Sequence, residues 1–547
     1  MQAAGGQTLF AGTMVFNAIG KLAPHFRRRS APERVRSANG ENRQLTIYSN
    51  VLPLLRLHRR LFFSFALAGL VLRLFFVVFF PAVTDDSHIY ADLATNWLQH
   101  GIYGHSDTSQ PATAQKQITP TDARLPGYPA FLALVFAVFG VGNMKAVMLV
   151  QVSFDLATCL LVADLARRLI SDRAADVAFV LTALCPFLAN YVSAVLTETL
   201  EIFFTAFALD CAAAALDRMG GAPRVGSDEG NRSYLSLWAA TGVAIGMCIL
   251  LRPDGGILLG AVLLFLAILA VKSVALQAAG GDRAPSVSIT QIMAAAIVVA
   301  VFALAPMGPW TIRNFRTLHH FQPLAPRYAN DTDELVLRGF NRWVKTWMAE
   351  YASVEEVYWN VPGEKIEMAK LPARSTDSDD ERETTSSLID DYNDSQDVTP
   401  DLDARFEQLA EQRIRTNPAR YYATLPLLRI TDMWFRPRTE MLPPDVRWWE
   451  FNDDPARSTV AVGFGFLNLL YVAAAVFVVI RKSSIVRWVG LLVCFLLLRS
   501  VFLGTLENPE PRYTLECYPA IIVLAAAAFS AREKSSVGSG TLEFHSR

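Results

Sequence analysis

Apolar residues run in blocks of about twenty along most of the chain, parted by short charged turns. A helix needs roughly 20 apolar residues to cross the hydrocarbon core, and ten blocks approach or meet that length: Leu61–Phe80, Met144–Leu169, Ala174–Tyr191, Leu200–Leu216, Leu235–Leu251, Gly256–Val271, Ile289–Trp310, Val460–Ile480, Val486–Leu503 and Leu515–Phe529. Ala130–Phe139 is shorter and is predicted to lie in the interface. From Ile312 to Thr459 hydropathy falls while aromatic residues remain. Within that stretch, Ala373–Asp403 is rich in Asp, Ser, Thr and Glu and is predicted to be a solvated, flexible loop. Phe406, Leu409 and Ile414 recur at near-helical spacing just beyond it, so a small helical cap without a core of its own is expected.

Composition strengthens this picture. With 52% hydrophobic and 18% charged residues over 547, the chain is too apolar for a soluble protein of that length. The predicted class is an all-α membrane protein, a polytopic bundle of about ten transmembrane helices with interfacial helices in the first outer loop and a small helical extracytoplasmic segment. Five segments follow: 1–57, a basic, disordered cytoplasmic tail; 58–311, a membrane core; 312–459, the outer segment; 460–531, the last spans; and 532–547, a cytoplasmic tail. A net charge of -1 argues against nucleic acid as a partner, since phosphate binding needs a basic surface. Six scattered cysteines show no CxxC or Cys/His spacing, which argues against disulfides and zinc.

Lys and Arg set the orientation. Arg59 and Arg60, then Arg167, Arg168 and Arg173, then Arg218, Arg224 and Arg232, then Lys272, then Arg481, Lys482 and Arg487, and finally Arg532 and Lys534 all fall in loops of one side. Counting Ala130–Phe139 as a span would invert every later loop. Both termini are therefore expected in the cytoplasm, with the Val83–Pro129 loop, Thr197–Glu198, Arg252–Asp254, the 312–459 segment and Gly504–Tyr513 facing out of a plasma or inner membrane.

The outer face gathers the candidate chemistry. Asp85 and Asp86 follow the first span; Asp86 or Ser87 suits the N-cap of a helix over His88–Gln99, which leaves Asp85 as the acid without a structural role. Glu198 opens a span beside Thr197, where an acid also suits the helix dipole. Arg124 stands at the end of the same loop as the two acids, before a Pro-Gly-Tyr128-Pro turn that fixes the backbone, and Arg313 and Arg512 are similar outer-edge cations. A lone interfacial arginine often serves as an anchor, but a guanidinium fork also matches phosphate oxygens. Arg73 lies inside the first span, roughly 12 Å below its outer end, and Asp155 lies roughly 16 Å deep in the second, so the two are predicted to pair. A transporter or lipid flippase would also be polytopic with buried charges, yet would favour broken helices meeting at the midplane. A scaffold binding envelope partners is the remaining alternative.

Six motifs occur in order: the Asp-Asp loop, RLPGYP, a TET turn, LLRPDG, PWTIRNFR and EPRYTLECYP. Together they resemble the GT-C membrane glycosyltransferases, in the branch with protein O-mannosyltransferases, aminoarabinose transferases and rhizobial lipopolysaccharide core transferases. The resemblance implies transfer of a sugar from a polyprenyl-phosphate carrier, usually with inversion, to a lipid, glycan or protein acceptor on the extracytoplasmic face. It implies Asp85 as general base or acceptor-orienting group, with Asp86 where many members carry Glu. Arg124 then matches a basic residue implicated in binding the carrier phosphate, with Arg313 and Arg512 as second-tier candidates; Glu198, Arg73, Asp155 and Tyr128 are supporting residues on the reading of the sequence itself. Some relatives use a divalent metal; two adjacent carboxylates without further ligands do not demand one, and no cofactor is assigned.

Overall fold

Packing inside a bilayer rests on small residues and close backbone approach, because lipid tails are as apolar as leucine. The structure, a computed structural model, describes residues 59–106, 117–220, 228–278, 287–330, 334–451 and 454–529; the two predicted tails lie outside the described residues. Among these, eight helices are long and apolar enough to cross a membrane. They correspond to eight of the ten predicted spans, and the fold class expected from the sequence is the one observed. Helix α1 (Arg59–Phe79) shows the division of faces directly: Phe63, Leu67, Val71, Phe75 and Val78 form an exposed apolar stripe, while Arg73 on the other side is fully buried. The predicted partner is present, with Arg73 Nε donating to Asp155 Oδ2 at 2.5 Å. Arg73 also donates to the carbonyls of Gly69 (2.9 Å) and Ala183 (2.7 Å), so its buried donors are largely used.

After α1 come α2 (Asp85–His100), a short antiparallel pair β1 (Gly104–Ser106) and β2 (Ile118–Pro120), and α3 (Gly127–Phe139). Helix α4 (Met144–Leu169) is the second long span. The predicted third span is instead two helices, α5 (Asp172–Ala183) and α6 (Pro186–Tyr191). Pro186 has no N–H to continue the ladder and biases Cys185 toward extended backbone, which it adopts at φ -68°, ψ 110°. Helices α7 (Glu198–Met219), α8 (Asp228–Leu251), α9 (Gly256–Ala278), α10 (Ile289–Leu304) and α11 (Met307–Leu318) complete the first bundle. Gly242 and Gly246 let α8 and α10 touch, since a Cβ on either would stand 2.7 Å from Val299 O or 2.8 Å from Ala303 O.

Between 312 and 459 the structure departs from the sequence reading. Helices α12 (Arg338–Lys345), α13 (Asp379–Ser395), α14 (Pro400–Thr416) and α15 (Leu425–Phe435) are present, and most of the expected acidic loop 373–403 is helical. Ser378 caps α13, and Leu388, Ile389 and Tyr392, all buried, belong to one apolar cluster with Trp343, Trp347 and Phe406. These few apolar positions sufficed because partners distant in sequence supply the rest of a separate hydrophobic core, which a reading of local composition missed. The carboxylate of Asp403 accepts from Gly339 N (3.0 Å) and Phe340 N (2.9 Å), satisfying the open N–H groups at the start of α12. Three further helices, α16 (Pro455–Arg481), α17 (Val489–Gly504) and α18 (Tyr518–Phe529), return to the membrane bundle. At 16 residues α17 is short for a span.

Candidate functional site

The first outer loop is fixed by its own side chains. Thr84, not Asp86 or Ser87, is the N-cap of α2; it exchanges bonds with Ser87, so both aspartates fall in the first turn. Consecutive helical residues point about 100° apart. Asp85 is consequently exposed and lies away from the cavity, whereas Asp86 and Tyr90, one turn on, line it. Sequence reasoning put Asp85 first of the two acids; of the pair it is Asp86 that stands at the cavity. Burial, with the charge of Asp86 adding to it, raises the pKa of the Tyr90 phenol.

Arg124 is brought to Asp86 by the end of that loop. Tyr103 Oη donates to the carbonyls of Arg124 (3.0 Å) and Leu125 (3.2 Å). Arg313 donates to Thr121 O at 2.7 Å and to Tyr103 O at 2.5 Å, stacked near the Tyr103 and Trp310 rings. It therefore braces the loop from behind and is not among the residues lining the cavity. Gly127 starts α3 against the end of α8, where a Cβ would stand 2.5 Å from Leu250 O. Tyr128 is buried and donates to Gln151 Oε1 at 2.8 Å, a second brace.

The cavity has a volume of about 1210 Å³. On one wall Arg124 Nη2 approaches Asp86 Oδ1 at 3.4 Å and Nη1 donates to Ala329 O at 2.9 Å. Ala329 holds a left-handed backbone (φ 52°), uncommon for a residue with a Cβ, in the conformation whose carbonyl meets Arg124. Arg512 approaches the same aspartate from the other side, Nη2 to Oδ2 at 4.0 Å, and lies 3.7 Å from Glu198 Oε1. Its Nε donates to Glu510 Oε2 at 2.5 Å. Asp86, Arg124, Glu198 and Arg512 are thus brought together; Asp85, Arg313, Tyr128, Arg73 and Asp155 are not part of the lining.

Sequence reasoning missed Arg252, Asp254 and Glu510. Arg252 lies 3.7 Å from both Glu198 and Glu201 and 3.3 Å from Asp254, with its guanidinium 4.3 Å from the Tyr513 ring centre. Behind it Arg499, fully buried, holds Asp254 (2.8 Å) and Glu516 (2.7 Å). The signal for the first two was LLRPDG itself, a charged pair between two spans. Glu198 Oε2 is buried and accepts no hydrogen bond among the described residues. No group of three or more His, Cys, Asp or Glu stands ready to hold a metal among the described residues. Of the cavity carboxylates, Asp86, Glu198 and Asp254 each face guanidinium groups.

Residues 122–310 match the family model of dolichyl-phosphate-mannose-protein mannosyltransferases, a stretch that includes Arg124, Glu198, Arg252 and Asp254. That bears out the expected resemblance to the GT-C membrane glycosyltransferases. No curated protein matches the chain. Among solved structures, the archaeal oligosaccharyltransferase AglB from Archaeoglobus fulgidus, in complex with an inhibitory peptide and a dolichol-phosphate, is 12% identical, with 86% of this chain and 50% of that chain covered and a TM-score of 0.46. ArnT from Cupriavidus metallidurans, bound to undecaprenyl phosphate, is 14% identical, with 85% and 77% covered and a TM-score of 0.33. The chain spans about half the length of the archaeal protein.

Proposed function

We infer that this chain is a GT-C membrane glycosyltransferase that takes a sugar from a polyprenyl-phosphate carrier and passes it, with inversion, to an acceptor hydroxyl on the extracytoplasmic face. The observation that carries the reading is Asp86 flanked by Arg124 and Arg512 on the wall of a large cavity. A base must stand where the attacking hydroxyl loses its proton, and fixed cations must stand where charge develops on the leaving group. One carboxylate between two guanidinium groups supplies both.

In the reaction the acceptor oxygen bonds to the anomeric carbon as the bond from that carbon to the carrier phosphate breaks. Asp86 takes the hydroxyl proton, and the electron pair of the broken bond stays with the phosphate. Arg124 and Arg512 hold that phosphate, which gains charge as the anomeric centre becomes oxocarbenium-like. The unpartnered Glu198 oxygen is placed to orient a sugar or acceptor hydroxyl. Arg252, clamped by Glu198, Glu201 and Asp254, keeps Glu198 and Arg512 in register. The acceptor is a lipid, glycan or protein, and the carrier tail lies among the apolar spans.

The test uses the full chain in lipid with undecaprenyl-phosphate hexoses carrying a labelled sugar, following loss of lipid-linked label into glycolipid, glycan and protein fractions of the host envelope. Transfer by the native chain that Asp86→Asn abolishes supports the reading. Equal transfer by both proteins would remove Asp86 from the chemistry.

A further inference from the structure

Helix α15 belongs to the 312–459 segment in sequence but is held by two membrane helices. Asn468 Nδ2 donates to the carbonyls of Trp434 (2.7 Å) and Arg436 (3.2 Å), and Trp434 Nε1 donates to Ser500 Oγ at 3.0 Å. Asn468 is the midpoint of the 27-residue α16. The apolar run of that helix begins at Val460, roughly 12 Å nearer its start at 1.5 Å per residue. The other end of α15 stands higher. A Cβ on Gly504, the last residue of α17, would lie 2.9 Å from Pro426 O. From Pro426 to Trp434, α15 therefore runs down α17 from Gly504 to Ser500.

The faces of α15 divide as a lipid boundary requires. Arg429 is fully buried and donates to the carbonyls of Met348 (2.9 Å), Lys345 (2.5 Å) and Gly504 (3.3 Å), and Asp432 Oδ2 accepts from Tyr351 N at 3.0 Å. The opposite side carries Leu427, Leu428, Thr431 and Phe435, all exposed, with Leu427 at 63% and Phe435 at 50%. Residues four apart share a helix face, so 427, 431 and 435 form one stripe. On the two spans the residues next to its anchors are also apolar and exposed: Leu469 follows Asn468, and Val501 follows Ser500. The stripe thus adjoins surfaces that a bilayer covers, and one cover serves both.

Beyond Phe435 the chain leaves the helix at the level of Asn468. Non-helical backbone at membrane depth is tolerated only where protein covers it, and residues 436–439 are all buried. Pro437 packs on Gly465 of α16, where a Cβ would stand 3.1 Å from its ring. Arg438 donates to Pro511 O and to Thr514 Oγ1 (2.5 Å), partners on either side of Arg512, so the same turn braces a wall of the cavity.

We propose that α15 and the turn after it form a re-entrant segment: the helix descends into the leaflet on the side of the 312–459 segment with its stripe against acyl chains, and the chain returns through protein to α16. The inference rests on the membrane fold and not on the transfer reaction.

The experiment photolabels the full native chain in nanodiscs of phosphatidylcholine that carries a diazirine midway along one acyl chain. In parallel, hydroxyl radicals oxidise the same preparation from the water side, and peptide mass spectrometry reads both marks residue by residue. Val501 is the lipid-facing standard and exposed Lys365 the water-facing one. Leu427, Leu428 and Phe435 are expected to carry lipid adducts at the yield of Val501 and to lose the oxidation that Lys365 shows. Oxidation of Leu427 or Phe435 without a lipid adduct would place the stripe in water and overturn the proposal. Absence of both marks would put a protein surface over the stripe, a second copy included, and overturn it as well. Adducts on Leu427 and Leu428 that do not reach Phe435 would lay the helix along the membrane surface and refute the descent.

Discussion

Two adjacent aspartates differ because a helix separates their directions. Asp85 points to solvent and Asp86 into the cavity, so Asp86→Asn is expected to lower transfer by roughly a hundred- to ten-thousand-fold, while Asp85→Asn leaves it within about threefold. Initial rates with labelled polyprenyl-phosphate sugar check both. The buried Arg73–Asp155 pair obeys a different rule, since removing one partner strands the other's charge. Asp155→Asn should cost about 3–5 kcal/mol and lower the thermal unfolding midpoint in detergent, whereas replacing both residues by apolar ones of similar size should restore much of it. At this scale RLPGYP and the intramembrane charges were legible, because Pro, Gly and a charge in an apolar run each carry their reason locally. Which of two neighbouring acids meets Arg124 was not, because that depends on where Thr84 starts a helix.

The outer segment shows what an element can hide. Helix α13 carries mostly polar residues and reads as a loop, yet Leu388, Ile389 and Tyr392 are buried in one apolar cluster with Trp343, Trp347 and Phe406 from elsewhere in the chain. The ring of Phe406 lies 5.0 Å from that of Trp343 and 5.5 Å from that of Phe340. Phe406→Ala is expected to cost about 3–5 kcal/mol and to raise hydrogen exchange across α12, α13 and α14 while the membrane helices keep their protection. Acid acts on the same unit through Asp377, whose carboxylate accepts from Arg420 Nη1 and Nη2 at 2.6 Å each. The Arg420 hydrogen bond holds its pKa below the usual carboxylate value. A depressed folded pKa gives stability that is present above the unfolded value of about 3.9 and is lost as pH falls through the folded value. The unfolding midpoint of the outer segment should therefore drop below about pH 4, and Asp377→Asn should drop less over that window.

Over the whole molecule, eight long apolar helices carry a charged cavity whose walls come from the first outer loop, the span junctions and the outer segment. From the Lys and Arg distribution we propose that the cavity faces out of the cell. A cysteine at exposed Ser387 in α13 should then react with a membrane-impermeant maleimide in intact cells, and one at exposed Ser484, in the turn between α16 and α17, only after permeabilisation. The native cysteines give a low background, five being buried and Cys494 partly so. The reverse pattern would turn the molecule over and place the cavity in the cytoplasm.

Hydropathy alone determined that the chain is a multi-span helical bundle, because the bilayer demands about twenty apolar residues per crossing and leaves that demand written in the sequence. Motif order pointed to the glycosyltransferase resemblance and to the outer loops as the place of chemistry. Tertiary structure decided the rest: that Pro186 breaks one apolar block in two, that 312–459 closes over its own core, and that Asp86 rather than Asp85 meets Arg124 and Arg512. Each of these turns on contacts between residues far apart in the chain or on the direction of a side chain from its helix, and neither quantity is a property of local sequence.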